Sequence, residues 1–77
     1  MQLLKFENYN CQPCKQVGDY LKDTEHIIIN AFENPEIASK FKVRSLPTVI
    51  LLDDYDVEIG RTIGFKPQEI DKLILQL

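Results

Sequence analysis

Tryptophan is absent from this chain, and other chemistry-bearing or turn-forming residues are scarce: one histidine, one methionine, two cysteines and three glycines among 77 residues. A single histidine, His26, and one cysteine pair leave any metal site built within one chain short of ligands. No apolar run approaches the roughly 20 residues that a membrane-spanning helix needs. The longest are Ile27 to Ile29 and Val49 to Leu52. Repeats, low-complexity stretches and linkers are lacking as well, and the length allows one domain, residues 1–77. The start, Met1-Gln2-Leu3-Leu4-Lys5, has neither the apolar stretch nor the cleavage site of a secretory signal, so the expected setting is the cytoplasm.

What is present is ordinary for a folded domain: 44 % hydrophobic and 27 % charged residues. The formal net charge is −3 and the pI about 5.0, with the lysines scattered. That is no basic footprint, so neither nucleic acid nor a membrane is an expected partner.

The elements alternate in type. Gln2 to Phe6 reads as a strand and Asn8 to Asn10 as a loop. Pro13 suits the first turn of a helix, on which Cys14, Val17 and Leu21 share a face. Gly18 weakens that helix. His26 to Asn30 carries three isoleucines, a buried-strand pattern, with His26 exposed at its start. Asn34-Pro35 reads as a helix cap and first position, followed by Ile37, Ala38 and Phe41 on one face. Pro47 opens a β-branched run, Thr48 to Leu52. Asp53 to Asp56 is a turn, and Val57 to Ile63 alternates as a hairpin partner, with Val57, Ile59, Arg61 and Ile63 on one side. Pro67 begins a last helix with Ile70, Leu73, Ile74 and Leu77 as its apolar stripe. The order β-α-β-α-β-β-α predicts an α/β fold. A parallel pair with a right-handed crossover and a closing hairpin make a mixed four-stranded sheet with three helices on its faces.

The chemistry concentrates in Cys11-Gln12-Pro13-Cys14, a C-x-x-C where the first strand gives way to a helix. A bridge over so short a loop constrains the unfolded chain little, and a cytoplasmic structural disulfide is out of place. Cys11 falls at the start of the helix, where unpaired N–H groups and the positive dipole end stabilise a thiolate. The thiolate is the nucleophile. Cys14 is one turn in, on the apolar face, and reaches Cys11 from behind. Spacing alone thus has Cys11 attack and Cys14 resolve. Two cysteines are also half of a zinc site, so a dimer sharing zinc or an iron–sulfur cluster stays open, as does an inert pair.

Three segments in order give the chain a family resemblance. Cys11-Gln12-Pro13-Cys14-Lys15 resembles the Cys-Gly-Pro-Cys-Lys active site of thioredoxins. Asn34 to Ala38 and Phe41 to Thr48 resemble the thioredoxin segment in which a helix leads to a cis-proline loop. Gly64 stands where the family has a glycine after its last strand. The length is nearer to glutaredoxins and the small redoxins of phages, bacteria and archaea; thioredoxins proper carry an extra N-terminal strand and helix. The resemblance implies a minimal thioredoxin fold and a cis bond before Pro47, whereas on base rates that bond is trans. It also implies that Leu46 offers backbone groups to an extended substrate while Thr48 continues into the strand.

Departures are visible too. The family tryptophan before the first cysteine is Asn10, beside Tyr9, which reads equally as a rim residue or as loop packing. The glycine within the motif is Gln12. A buried aspartate that helps proton transfer in thioredoxins is replaced by Lys5. A lysine on the solvated side of the strand is the simpler expectation; pointing inward, it would favour a Cys14 thiolate. Arg44 reads as a surface charge. Phe6, Phe32, Phe41 and Phe65 read as packing residues.

The expectation is a thiol–disulfide oxidoreductase, an electron carrier without a bound cofactor, working as a monomer. Its substrate surface would comprise Tyr9, Gln12, Pro13, Leu46, Pro47, Thr48 and Gly64 around Cys11 and Cys14. The resemblance supplies ribonucleotide reductase as the first candidate client and a flavoprotein thioredoxin-type reductase as electron source. The alternatives are a glutathione-dependent glutaredoxin and a metal- or cluster-carrying dimeric binding module. Pro13 directly before Cys14 favours thioredoxin character.

Overall fold

A computed structural model describes all 77 residues. The elements in chain order are β1 (Gln2–Glu7), α1 (Gln12–Tyr20), β2 (Ile27–Asn30), α2 (Pro35–Lys40), β3 (Thr48–Leu52), β4 (Glu58–Ile63) and α3 (Pro67–Ile74). They form one four-stranded sheet in the order β2-β1-β3-β4. β1 pairs with β2 in parallel, Leu4 opposite Ile27. It pairs with β3 antiparallel, Phe6 opposite Thr48. The β3–β4 hairpin is antiparallel with an irregularity between Leu51 and Leu52. No helix is long and apolar enough to cross a membrane.

The two central strands have no solvent face. Successive side chains of β1 and β3 point to opposite sides of the sheet, and each side is covered. Leu3, Val49 and Leu51 pack with Val17 and Leu21 of the α1 segment and with Ile70 and Leu73 of α3. Leu4, Phe6, Ile50 and Leu52 pack with Ala38 of α2, and Ile37 and Phe41 close over them. Helices α1 and α3 therefore share one face and α2 takes the other. Burying side chains of this kind contributes roughly 1.5–3 kcal/mol each.

Several expectations from the sequence are corrected. The isoleucines of β2 are not a buried strand: β2 is a sheet edge, and Ile27 and Ile28 are 45 % and 56 % exposed. On β4, where the alternation leaves open which side is covered, the apolar side faces outward, with Ile59 and Ile63 at 40 % and 44 % exposure. The reason is coverage. Its polar, small side, Gly60 and Thr62, lies with Val49 on the α3 face, where Thr62 Oγ1 donates to Glu69 of α3 at 2.8 Å. On the opposite side of the sheet α2 spans only six residues. There Arg61 Nη2 donates to the Phe41 carbonyl at 2.7 Å.

His26 is half-buried, not exposed, with Nδ1 2.7 Å from the Thr24 carbonyl oxygen. Asn34 is the cap residue of α2 by position, but its side chain makes no capping bond and donates to the Asn30 carbonyl. Leu77 lies beyond α3 and is half exposed, so the buried stripe of that helix is Ile70 and Leu73.

Candidate functional site

The cysteines sit where the first crossover begins. Asn10, with φ of 52°, turns the chain out of the loop after β1. Cys11 follows in an extended conformation and is itself the N-cap of α1. Pro13 lies in the first turn, where a missing N–H costs nothing. Cys11 Sγ accepts the backbone N–H of Cys14 at 3.2 Å, a role usually taken by a side-chain oxygen. Cys11 and Cys14 are joined by a disulfide, with Cα atoms 5.2 Å apart.

The two sulfurs differ in surroundings. Cys14 is 2 % exposed and lies on the inner face of α1 with Val17. Cys11 is half-buried, and Gln12 and Pro13 beside it are exposed. Attack from solvent reaches Cys11 first.

Register gathers the other expected residues at the same end of the sheet. Phe6 is paired with Thr48, so the chain leaving β1 toward Cys11 and the chain entering β3 from Pro47 emerge side by side. The Leu46–Pro47 bond is cis. Pro47 is buried, and its carbonyl accepts the N–H of Gly64 at 2.8 Å. Gly64 has φ of +83°, in the region that disfavours a Cβ. Thr48 Oγ1 donates to the Ser45 carbonyl at 2.6 Å, fixing the loop. The side chain of Leu46 packs on the α2 cluster, while its backbone N–H and carbonyl make no hydrogen bond within the chain. A cavity of about 580 Å³ lies at the opposite end of the sheet, lined by Met1, Leu3, His26, Ile27 and Leu77 among others.

Tyr9 is exposed but tied down. Its ring meets Phe32 edge-on at 6.4 Å, and its hydroxyl donates to Glu33 at 2.5 Å. That hydrogen bond to a carboxylate, with some burial and the carboxylate's charge, holds the Tyr9 hydroxyl above the usual tyrosine range. Loop packing thus accounts for the Tyr9 side chain. No three His, Cys, Asp or Glu side chains converge as a metal-binding group.

Lys5 overturns the expectation of a solvated lysine. It is 4 % exposed. Its ammonium pairs with Glu7 at 2.5 Å and lies under α1 against Gly18. The sequence signal for this was Gly18 itself, an apparent weakness in a helix that instead leaves room for a side chain from β1.

A half-buried N-capping cysteine bridged to a fully buried one, on a β-α-β unit beside a cis-proline loop, defines a dithiol redox site. No protein-family model matches the chain. Individual proteins do. The chain is 40 % identical to the SPbeta prophage-derived thioredoxin-like protein YosR of Bacillus subtilis, over all of this chain and 99 % of that protein. It is 32 % identical to thioredoxin of Staphylococcus haemolyticus, over 90 % of this chain and 73 % of that one. Among solved structures it superposes on oxidised mitochondrial thioredoxin 3 of Saccharomyces cerevisiae with a TM-score of 0.89 and 28 % identity, covering 99 % of this chain and 77 % of that one. The chain belongs to the thioredoxin family. It is a protein disulfide oxidoreductase with a redox-active cysteine pair.

Proposed function

We propose that this chain is a single-domain carrier of reducing equivalents to a protein disulfide, with Cys11 as attacking thiol and Cys14 as resolving thiol. The observation that carries the assignment is the asymmetry of the pair. Cys11 caps the helix with Cys14 N–H directed at its sulfur, whereas Cys14 is buried on the inner face. In the reduced protein the Cys11 thiolate attacks one sulfur of the substrate disulfide, and the other substrate sulfur leaves and takes a proton. Cys14 then attacks Cys11 Sγ, the mixed disulfide breaks, and the second substrate thiol is released. The cycle ends in the Cys11–Cys14 disulfide, which a reductase must reopen.

The substrate rests on Gln12, Pro13 and Gly64 and pairs with the free backbone groups of Leu46, beside Pro47 and Thr48. Main-chain pairing supplies affinity with little demand on sequence. Tyr9 borders this surface. Slow release would limit a carrier's turnover, so the contact belongs among small, transient interfaces, below about 1,200 Å². We place the protein in the cytoplasm as a monomer, recycled by a flavoprotein thioredoxin-type reductase, with ribonucleotide reductase the first client to test.

The experiment is NADPH consumption by this protein with a thioredoxin-type reductase and a disulfide substrate. Turnover that vanishes in Cys11→Ser supports the proposal. Turnover only with glutathione and its reductase makes the protein a glutaredoxin. Turnover with neither donor, together with zinc or iron in anaerobically purified protein, makes it a metal- or cluster-carrying dimer.

A further inference from the structure

Lys5 is a buried cation in the central strand β1. It occupies the α1 face of β1, between Leu3 of the core cluster and the half-buried Glu7. An ammonium removed from water needs compensating partners. A lysine carries three N–H donors, and Glu7 is its one ion-pair partner. The ammonium lies directly under α1: a Cβ placed on Gly18 would lie 2.9 Å from Lys5 Nζ.

Gly18 is four residues after Cys14 in the same helix. Residues four apart are stacked on one helical face, with about 5–6 Å between their Cβ positions. The ammonium is therefore held beneath the helix one turn from Cys14. Cys11 is a further three residues toward the N-terminus, about 4.5 Å along the axis at 1.5 Å per residue. The two cysteines thus feel different fields. The Cys14 N–H points at Cys11 Sγ, whereas the buried ammonium lies farther along the helix, under Gly18.

We infer that Lys5 is a positioning residue for the resolving step, holding a positive charge under α1, one turn from Cys14, so that its thiolate forms inside the protein. The inference rests on the assignment of Cys14 as the resolving thiol. In that step the Cys14 Sγ–Cys11 Sγ bond forms and the Cys11 Sγ–substrate sulfur bond breaks. The proton of Cys14 ends on the departing substrate sulfur, and no further oxidant or reductant enters. A buried thiol is reluctant to ionise because burial disfavours the charged form. A cation close by in a region of low effective dielectric offsets that cost. Glu7 competes with the thiolate for the same ammonium.

The test is stopped-flow reaction of the reduced protein with an aromatic disulfide whose released thiolate is coloured, 5,5′-dithiobis(2-nitrobenzoate). The first release reports attack by Cys11 and the second reports resolution by Cys14. Lys5→Met removes the charge and keeps most of the side chain's bulk. It is expected to slow the second phase about tenfold or more, with a much smaller change in the first. Glu7→Gln, which leaves the ammonium in place without its competitor, is expected to accelerate the second phase. An unchanged second phase in Lys5→Met overturns the inference. So does an equal slowing of both phases accompanied by a lower urea midpoint, since that is the mark of a merely structural lysine. Absence of a second release in the unsubstituted protein overturns the resolving role of Cys14 itself and the inference with it, a result distinct from the other two.

Discussion

Gly18 and Lys5 are fitted to one another: the missing Cβ of the helix residue is the space into which the lysine ammonium reaches, 2.9 Å from where that carbon would stand. A glycine inside a helix costs roughly 0.5–1 kcal/mol relative to alanine. Here the cost is offset by the room given to a paired, buried cation.

The pair makes Gly18→Ala an informative substitution. By propensity alone it would stabilise the protein by about 0.5–1 kcal/mol. With Lys5 in place the new methyl group displaces the ammonium from Glu7, and we expect the urea midpoint to stay level or fall. In a Lys5→Met background, whose side chain ends one atom short, the same substitution should recover the gain. Equal gains in both backgrounds would show that the two residues are not coupled.

Cys11 should be the reactive thiol of the reduced protein. It caps α1, and the Cys14 N–H that points at its sulfur stabilises a thiolate. Its pKa is therefore expected below the ordinary cysteine value of about 8.5. Alkylation rate against pH, measured on each single-cysteine variant, checks this. Faster modification of Cys14 near neutral pH would reverse the roles.

The outer face of β4 supplies a prediction for acid stability. Glu58 accepts from Arg61 Nε at 2.6 Å and from Arg61 Nη2 at 2.7 Å. These bonds, opposed by some burial and aided by the charge of Arg61, hold the Glu58 carboxyl below its ordinary value. A carboxyl depressed in the folded state stabilises the fold above the unfolded-state value, about 4.3 for glutamate. That contribution is lost as pH falls through the depressed folded value. Arg61→Met should lower stability at neutral pH by about 1 kcal/mol, combining a surface ion pair with the bond to Phe41. It should also flatten the stability profile below about pH 4.3. An unaltered acid limb in urea titrations would show that the pair carries no such linkage.

Much of this was legible in the sequence because it is local. The order of elements follows from the change between alternating and helical apolar spacing, and the C-x-x-C at a strand-to-helix junction marked the redox pair. Burial was less legible because it depends on which strand is central. Lys5 looks like a solvated strand residue until β1 is known to lie between β2 and β3 with helices on both sides. The isoleucines of β2 look buried until that strand is known to be an edge. For β4, alternation gives the two sides of the strand but not which one is covered, and α3 covers the side bearing Thr62.

The most direct measurement of the central claim is covalent trapping of a disulfide substrate by the single-cysteine variants, resolved by non-reducing electrophoresis and mass spectrometry. Cys14→Ser should accumulate a mixed disulfide through Cys11 that dithiothreitol releases, and Cys11→Ser should form none. Trapping through Cys14 in the Cys11→Ser variant, or full disulfide-reducing activity in both variants, would contradict the dithiol mechanism.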